Sequence, residues 1–153
     1  MAGAGDVNGD GAPDLLVGTR FGRLHVYSGA DGSVLRTLDL PSGSSTAPRS
    51  AVAGVGDVNG DGVPDLLVGA GFSAVGGNAG QGRAFVFSGA DASLLRTLDL
   101  PTPQGFSGLG SAVAGAGDVN GDGVPDLLAG APGHDVSEIN QGQAFVFSGA
   151  DAT

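Results

Sequence analysis

An all-β fold of three repeated units, each of about four short antiparallel strands, is predicted by three features of this 153-residue sequence. An acidic, glycine-rich loop recurs as "GDVNGDGAPDLLVG" (5–18), "GDVNGDGVPDLLVG" (56–69) and "GDVNGDGVPDLLAG" (117–130). A second segment, "VYSGADGSVLRTLDLP" (26–41), returns as "VFSGADASLLRTLDLP" (86–101) and begins again as "VFSGADAT" (146–153). No segment carries a 3.6-residue apolar period, so the elements between these landmarks are expected to be strands.

The repeat has a constant part and a variable part. Tyr27, Phe87 and Phe147 stand 60 residues apart, whereas the acidic loops are spaced by 51 and then 61. The difference lies mainly in one segment: Gly18 to Val26 spans 8 positions, Gly69 to Val86 spans 17, and Gly130 to Val146 spans 16. A variable loop on a constant scaffold behaves this way.

Within each unit the first strand is a small-residue run, "SAVAGVG" (50–56) or "SAVAGAG" (111–117), leading into the acidic loop. The second is "DLLVGA" (65–70), and the third, "RAFVFS" (83–88), alternates small and aromatic residues. A Gly and Asp turn then leads to the fourth, "SLLRTLDL" (93–100). Repeated four-stranded units of this length are what propeller blades around an axis are made of, and Ala, Gly and Val suit the crowded innermost strand.

The expected layout is therefore a partial propeller, with blade 1 at 1–45, blade 2 at 46–105 and blade 3 at 106–153. The third unit stops at "VFSGADAT" without "SLLRTLDLP", so blade 3 is expected to lack its outer strand, as in a fragment of a longer propeller. Its open edge "QAFVFS" (143–148), with Phe145 and Phe147, is expected to invite self-association, for instance as a six-bladed dimer.

Composition narrows the function. An apolar fraction of 41% is compatible with a buried core, and the absence of Cys removes disulfides, thiol nucleophiles and Cys-based zinc sites. A formal charge of −10, with no Lys at all, argues against nucleic acid and anionic membrane surfaces. Membrane insertion is not expected, since no run of about 18 apolar residues occurs, and "MAGAGDVNGDG" lacks the regions of a signal peptide. Nine of the sixteen acidic residues lie in the three loops, so the charge is local.

Counted from the first Asp of the second loop, positions 1, 3, 5 and 9 are Asp57, Asn59, Asp61 and Asp65, with Gly60 and Gly62 between them. Oxygen ligands at alternate positions converge when glycines supply tight turns, and Ca²⁺ requires six to eight oxygens at roughly 2.3–2.6 Å. The carbonyl of Val63 at position 7 plus water would complete such a shell. Asp, Asn and Gly are also what turns prefer, but three copies at matching places favour a metal. EF-hands and dockerin modules share the opening D-x-N-x-D-G, yet they need a carboxylate at position 12 and a following helix. This chain has Val17, Val68 and Ala129 there, and Pro13, Pro64 and Pro125 at position 8.

These residues resemble the FG-GAP repeats of integrin alpha-subunit propellers and their bacterial relatives. "FSGLGSAVAGAGDVNGDGVPDLLAGAP" (106–132) carries Phe106 and Gly110 for the FG element, the acidic loop, and Gly130, Ala131 and Pro132 for the GAP element. The second repeat keeps Gly69 and Ala70 but has Gly71 for the proline and "APRS" (47–50) for the FG element, and the first keeps only Gly18. The resemblance implies a calcium-stabilised propeller for extracellular or cell-surface adhesion, its metal structural rather than catalytic. It implies about three Ca²⁺ ions, held by Asp6, Asn8, Asp10, Ala12 and Asp14, by Asp57, Asn59, Asp61, Val63 and Asp65, and by Asp118, Asn120, Asp122, Val124 and Asp126.

No catalysis is expected. His25 in a strand and His134 beside Asp135 in a loop are candidate general bases, but no Ser, His and Asp arrangement recurs. The long loops 71–82 and 132–142 are read first as solvated linkers and second as recognition loops for a protein or glycan ligand, with Phe72 their one aromatic platform. The alternatives to an adhesion module are a glycan-binding propeller and the accessory propeller of a larger secreted enzyme.

Overall fold

The computed structural model describes residues 1–19, 23–44, 51–137 and 141–151. The segment 47–50, Ser50 of the first-strand motif, residues 138–140 of the second long loop and the last two residues therefore lie outside the described residues.

Every described element is a strand. Blade 1 is the antiparallel sheet β1 (Ala2–Gly5), β2 (Asp14–Gly18), β3 (Arg23–Tyr27) and β4 (Val34–Asp39), paired in chain order. Blade 2 repeats it with β5 (Val52–Gly56), β6 (Asp65–Ala70), β7 (Arg83–Phe87) and β8 (Leu94–Leu98). Blade 3 has three strands, β9 (Ala112–Gly117), β10 (Asp126–Ala131) and β11 (Gln143–Phe147), with β10 in the centre. The expected all-β partial propeller, with its last blade short of an outer strand, is what forms. The three sheets do not close a ring.

Registers repeat from blade to blade. Leu16 faces Val26, Leu67 faces Val86 and Leu128 faces Val146, so the alternation of each strand puts equivalent side chains on the same face. The first strand of each blade has a register shift as it enters the acidic loop, between Gly3 and Gly5, between Gly54 and Gly56, and opposite Asp126 and Leu127. Gly5, Gly56 and Gly117 take φ of 78°, 78° and 70° there, a left-handed conformation that glycine adopts without a Cβ clash.

The core lies between sheets. Ala4, Val7, Leu16, Leu24, Val26 and Leu38 of blade 1 form one buried cluster with Leu66, Val68, Ala70, Phe85 and Phe87 of blade 2. The other face of blade 2, including Val55, Val58, Leu67 and Val86, clusters with Leu127, Ala129, Ala131 and Phe147 of blade 3. Alternation thus lets blade 2 feed both clusters from opposite faces, and each buried leucine contributes about 1.5–3 kcal/mol by transfer from water. The innermost strands are small because their backbones nearly touch: a Cβ on Gly54 would stand 2.7 Å from the Gly3 carbonyl oxygen. Phe147 is buried in the blade 2–blade 3 cluster and Phe145 packs against it, so these two rings face blade 2 rather than the free side expected for them. The free side offers Ala144 and Val146 instead.

Candidate metal loops

In each acidic loop the position 1 carboxylate gathers the turn around itself. Asp6 Oδ1 accepts hydrogen bonds from the N–H groups of Gly9 (2.8 Å) and Asp10 (3.1 Å), and its Oδ2 accepts from Gly11 (2.8 Å). Asp57 and Asp118 repeat this on residues 60–62 and 121–123. The turn is possible because Gly9 and Gly11, with φ of 75° and 87°, occupy the left-handed region, as do their counterparts in the other loops. The N–H of Gly11 holds the Asp6 carboxyl below the usual carboxylate range, and that of Gly62 does the same for Asp57.

Positions 3 and 5 bond to each other. Asn8 Nδ2 donates to Asp10 Oδ2 at 2.8 Å while Asn8 Oδ1 accepts from the Asp10 N–H, and the other loops match. Position 5 then receives the N–H of position 7, at 2.8 Å, from Ala12, Val63 and Val124 in turn. These side chains are exposed.

Position 9 behaves differently. Asp14, Asp65 and Asp126 are buried, and each carboxylate spans two parts of its blade. Asp65 Oδ2 accepts from the Val58 N–H (2.9 Å) and its Oδ1 from the Gly89 N–H (3.1 Å), 24 residues onward in the turn between β7 and β8. Asp14 does the same to Val7 and Gly29, and Asp126 to Val119 and Gly149. The turn glycine is obligatory, since a Cβ on Gly29, Gly89 or Gly149 would run into the carbonyl oxygen of Pro13, Pro64 or Pro125. Burial pushes the Asp65 carboxyl up, whereas the Gly149 N–H holds that of Asp126 down.

Positions 1, 3 and 5 thus share one hydrogen-bonded knot, and position 9 is a latch between loop and hairpin. Among the described residues no group of three or more His, Cys, Asp or Glu side chains is gathered as a metal ion would need. The donor chemistry nevertheless fits a hard cation. Every candidate side-chain ligand is a carboxylate or carboxamide oxygen, and in the first two loops each position 9 oxygen accepts one N–H and keeps a second lone pair.

Three further contacts have no signature in the spacing. Pro64 lies against Gly5 of the preceding blade, where a Cβ would come within 2.8 Å of its Cγ, and Pro125 lies likewise against Gly56. Arg36 donates from Nε (3.0 Å) and Nη2 (2.7 Å) to the Ala90 carbonyl, and Arg96 Nη2 donates to that of Ala150 (2.8 Å), so each outer strand grips the next blade. Ser107 and His134 form a buried pair, Oγ to Nδ1 3.2 Å, with the Ser107 hydroxyl also 2.9 Å from the Gln104 carbonyl. Enclosed on that side and edge-on to Phe145, His134 clasps the loop after β10 to the segment before β9.

The loop 71–82 is more than a linker. Leu109 and Gly108 donate their N–H groups to the carbonyls of Gln81 and Gly80, and Phe106 to that of Ala79. Phe106, the ring of the FG element, is largely exposed at φ 60°, and Leu109 fills the core in its place. His25 Nδ1 lies 3.0 Å from Thr37 Oγ1, beside a cavity of about 460 Å³ that Arg23 and Asp39 also line.

Comparison with known proteins matches this architecture. The model described as FG-GAP-like repeat covers residues 6–68, and the one described as FG-GAP repeat covers 50–87 and 109–147. Integrin alpha-IIb of Mus musculus is 34% identical over 94% of this chain, and that of Homo sapiens 34% over 92%. Integrin alpha-PS5 of Drosophila melanogaster is 33% identical over 85% of the chain. The chain spans only 16%, 15% and 14% of those three relatives. With three like-built sheets, three acidic loops and these matches over most of its length, the chain belongs to the FG-GAP repeat family.

Proposed function

We propose that this chain is a calcium-stabilised propeller module for extracellular adhesion or protein interaction, in which the metal is structural and no reaction is catalysed. The single observation that carries the reading is the threefold acidic loop, repeated with the same hydrogen bonds in each blade of an integrin-like array. Positions 1, 3 and 5, the carbonyl at position 7 and the carboxylate at position 9 would hold each ion. A bound Ca²⁺ supplies charge neutralisation and a cross-link between loop and strand, nothing more. Three ions would bring the formal charge from −10 to about −4, relieving repulsion among nine clustered carboxylates.

The protein's own residues do the rest. The position 9 latch holds the loop to its hairpin with or without the ion, so calcium is expected to tighten a preformed loop rather than fold the chain. Affinity in the range of about 10⁻⁴–10⁻³ M, typical of extracellular modules, follows from ligands that already hold backbone N–H groups. The surface for a protein partner is the pair of long loops beside Phe72 and Phe106, both exposed on a rigid scaffold.

Titration calorimetry on the folded chain should find about three calcium sites, and Asp61→Ala should remove one and leave two. No uptake of calcium would end the reading, and loss of all three sites on that one substitution would replace separate loops with a coupled cluster.

A further inference from the structure

Position 3 of every acidic loop is an asparagine with a glycine after it: Asn8 before Gly9, Asn59 before Gly60 and Asn120 before Gly121. All six residues are exposed, and a Cβ on any of the three glycines would meet nothing within 4 Å. A glycine nitrogen beside an asparagine side chain is a nucleophile placed to close a small imide ring, since no side chain of its own hinders the approach.

The loop holds the reacting groups in place. Asn8 Oδ1 accepts the N–H of Asp10 (3.0 Å), an Asx turn that folds the side-chain amide over Gly9, and the same bond is 2.9 Å in the other two loops. As nitrogen adds to Cγ, negative charge builds on Oδ1, where that N–H already stands as a donor. The Gly9 N–H donates to Asp6 Oδ1 (2.8 Å), and its counterparts to Asp57 and Asp118 (2.7 Å), which fixes the plane of the attacking peptide. The leaving nitrogen, Nδ2, donates to the position 5 carboxylate at 2.8 Å in each loop.

We propose that Asn8, Asn59 and Asn120 are sites of spontaneous succinimide formation and hydrolysis, through which each acidic loop acquires aspartate or isoaspartate at position 3. The glycine N–H gives its proton to a solvent base and the nitrogen bonds to Cγ. The bond from Cγ to Nδ2 then breaks, and Nδ2 leaves as ammonia with a proton from water. Water adds to either carbonyl of the imide and breaks one of its C–N bonds, so the main chain runs again through the α-carbonyl or is rerouted through the side chain. Nothing is oxidised or reduced. Position 5 lies over the next glycine in the same way, through the N–H of position 7, but a carboxylate is a weaker electrophile than an amide, so the asparagine reacts first.

The product undoes the knot that forms it. Either outcome replaces the Nδ2 donor by a carboxylate facing the position 5 carboxylate, and an attractive bond becomes repulsion between like charges. The isoaspartyl form also adds a methylene to the main chain and shifts the alternation on which converging oxygens depend. The position 9 latch uses other N–H groups, so the hairpin should stay paired while the loop opens.

The test is incubation of the folded chain in chelator, at mildly alkaline pH and in heavy-oxygen water, followed by peptide mapping by mass spectrometry. Asn8, Asn59 and Asn120 should each exchange ammonia for a labelled oxygen, at rates that rise with pH and are no slower than in urea. Asn78 precedes Ala79, is partly buried and donates to Gln81 Oε1, and should stay unlabelled in the folded chain. Gly60→Ala, whose methyl has open space, should slow Asn59 at least about tenfold and leave Asn8 and Asn120 at the wild-type rate. Circular dichroism checks that variant, and if its fold is altered the wild-type comparison with urea still decides. Folded-state rates about tenfold or more below those in urea would overturn the inference, because the loop would then protect its amide. So would equal labelling of Asn78, or an Asn59 rate indifferent to Gly60→Ala in a folded variant. The calcium reading fails separately, as absent calcium uptake with labelling in chelator intact.

Discussion

Blades 2 and 3 carry almost the same second strand, "DLLVGA" against "DLLAGA", and bury it to different degrees. All six residues of β6 are buried, while Leu128 and Gly130 of β10 are only partly buried. The third strands diverge further, since four of five residues in β7 are buried against one in β11. Asp65 and Asp126 make equivalent latches, yet burial raises the first carboxyl and backbone donors lower the second. Burial in a stacked array is thus a property of the neighbour, not of the repeat. Blade 2 has a sheet on each side and blade 3 has one.

The sharpest way to break this comparison is to truncate one leucine in each. Leu67 is fully buried between blades 2 and 3, and Leu67→Ala should cost about 2–5 kcal/mol. Leu128 is its counterpart on the uncovered face, and Leu128→Ala should cost less, about 1–2 kcal/mol, since that side chain is only partly buried. Urea midpoints measured in dilute solution give both values. Equal losses would mean that each blade is stabilised from within and that the junctions matter little.

A second pair isolates the junction itself. Gly5 and Gly117 both adopt left-handed φ, so Gly5→Ala and Gly117→Ala share a backbone cost of about 1 kcal/mol. At Gly5 the new methyl must also displace the Pro64 ring from 2.8 Å, and at Gly117 it meets nothing. The excess loss at Gly5 should be roughly 1 kcal/mol, measured by the same unfolding transitions. Identical losses would remove the proline contact from the account of how blades seat.

Much of this fold was legible because its signals are local. The strands, their order and the short third sheet follow from the repeat and from turn residues such as "SGAD". The acidic loop was legible as a loop with oxygen at alternate positions. Side-chain direction was not, because spacing counts ligands without saying that Asp65 turns inward to reach Gly89, 24 residues away. Pro64 read only as a departure from the EF-hand pattern, whereas its ring is a contact to the blade before it. Ser107 and His134 lie 27 residues apart and meet only because loop and blade fold together. Each unread feature joins residues far apart in the chain, and the Pro64 contact joins two repeats.

The smallest expected effect reads one neighbour's charge across a junction. Asp31 and Asp91 cap equivalent turns, accepting from the N–H groups of Ser33 (2.9 Å) and Ser93 (2.8 Å). The hydroxyl of Ser33 or Ser93, and then its N–H, holds each carboxyl below the usual range. Arg36 of blade 1, bonded to the Ala90 carbonyl, lowers Asp91 further, and among the described residues no cation stands among the main influences on Asp31. Both carboxyls are depressed in the folded state, so the folded chain binds fewer protons than the unfolded one just below a pH of about 3.9. Their stabilisation is present above that pH and is lost as pH falls through the folded values. Arg36→Gln keeps a donor for Ala90 and removes the charge, so it should raise the Asp91 value toward that of Asp31 and leave Asp31 where it is. Carboxyl-carbon NMR titrations resolve the two residues. If Asp91 does not move, or both move together, the grip of one blade on the next is a matter of hydrogen bonding alone, and the charge that distinguishes a covered turn from an uncovered one plays no part.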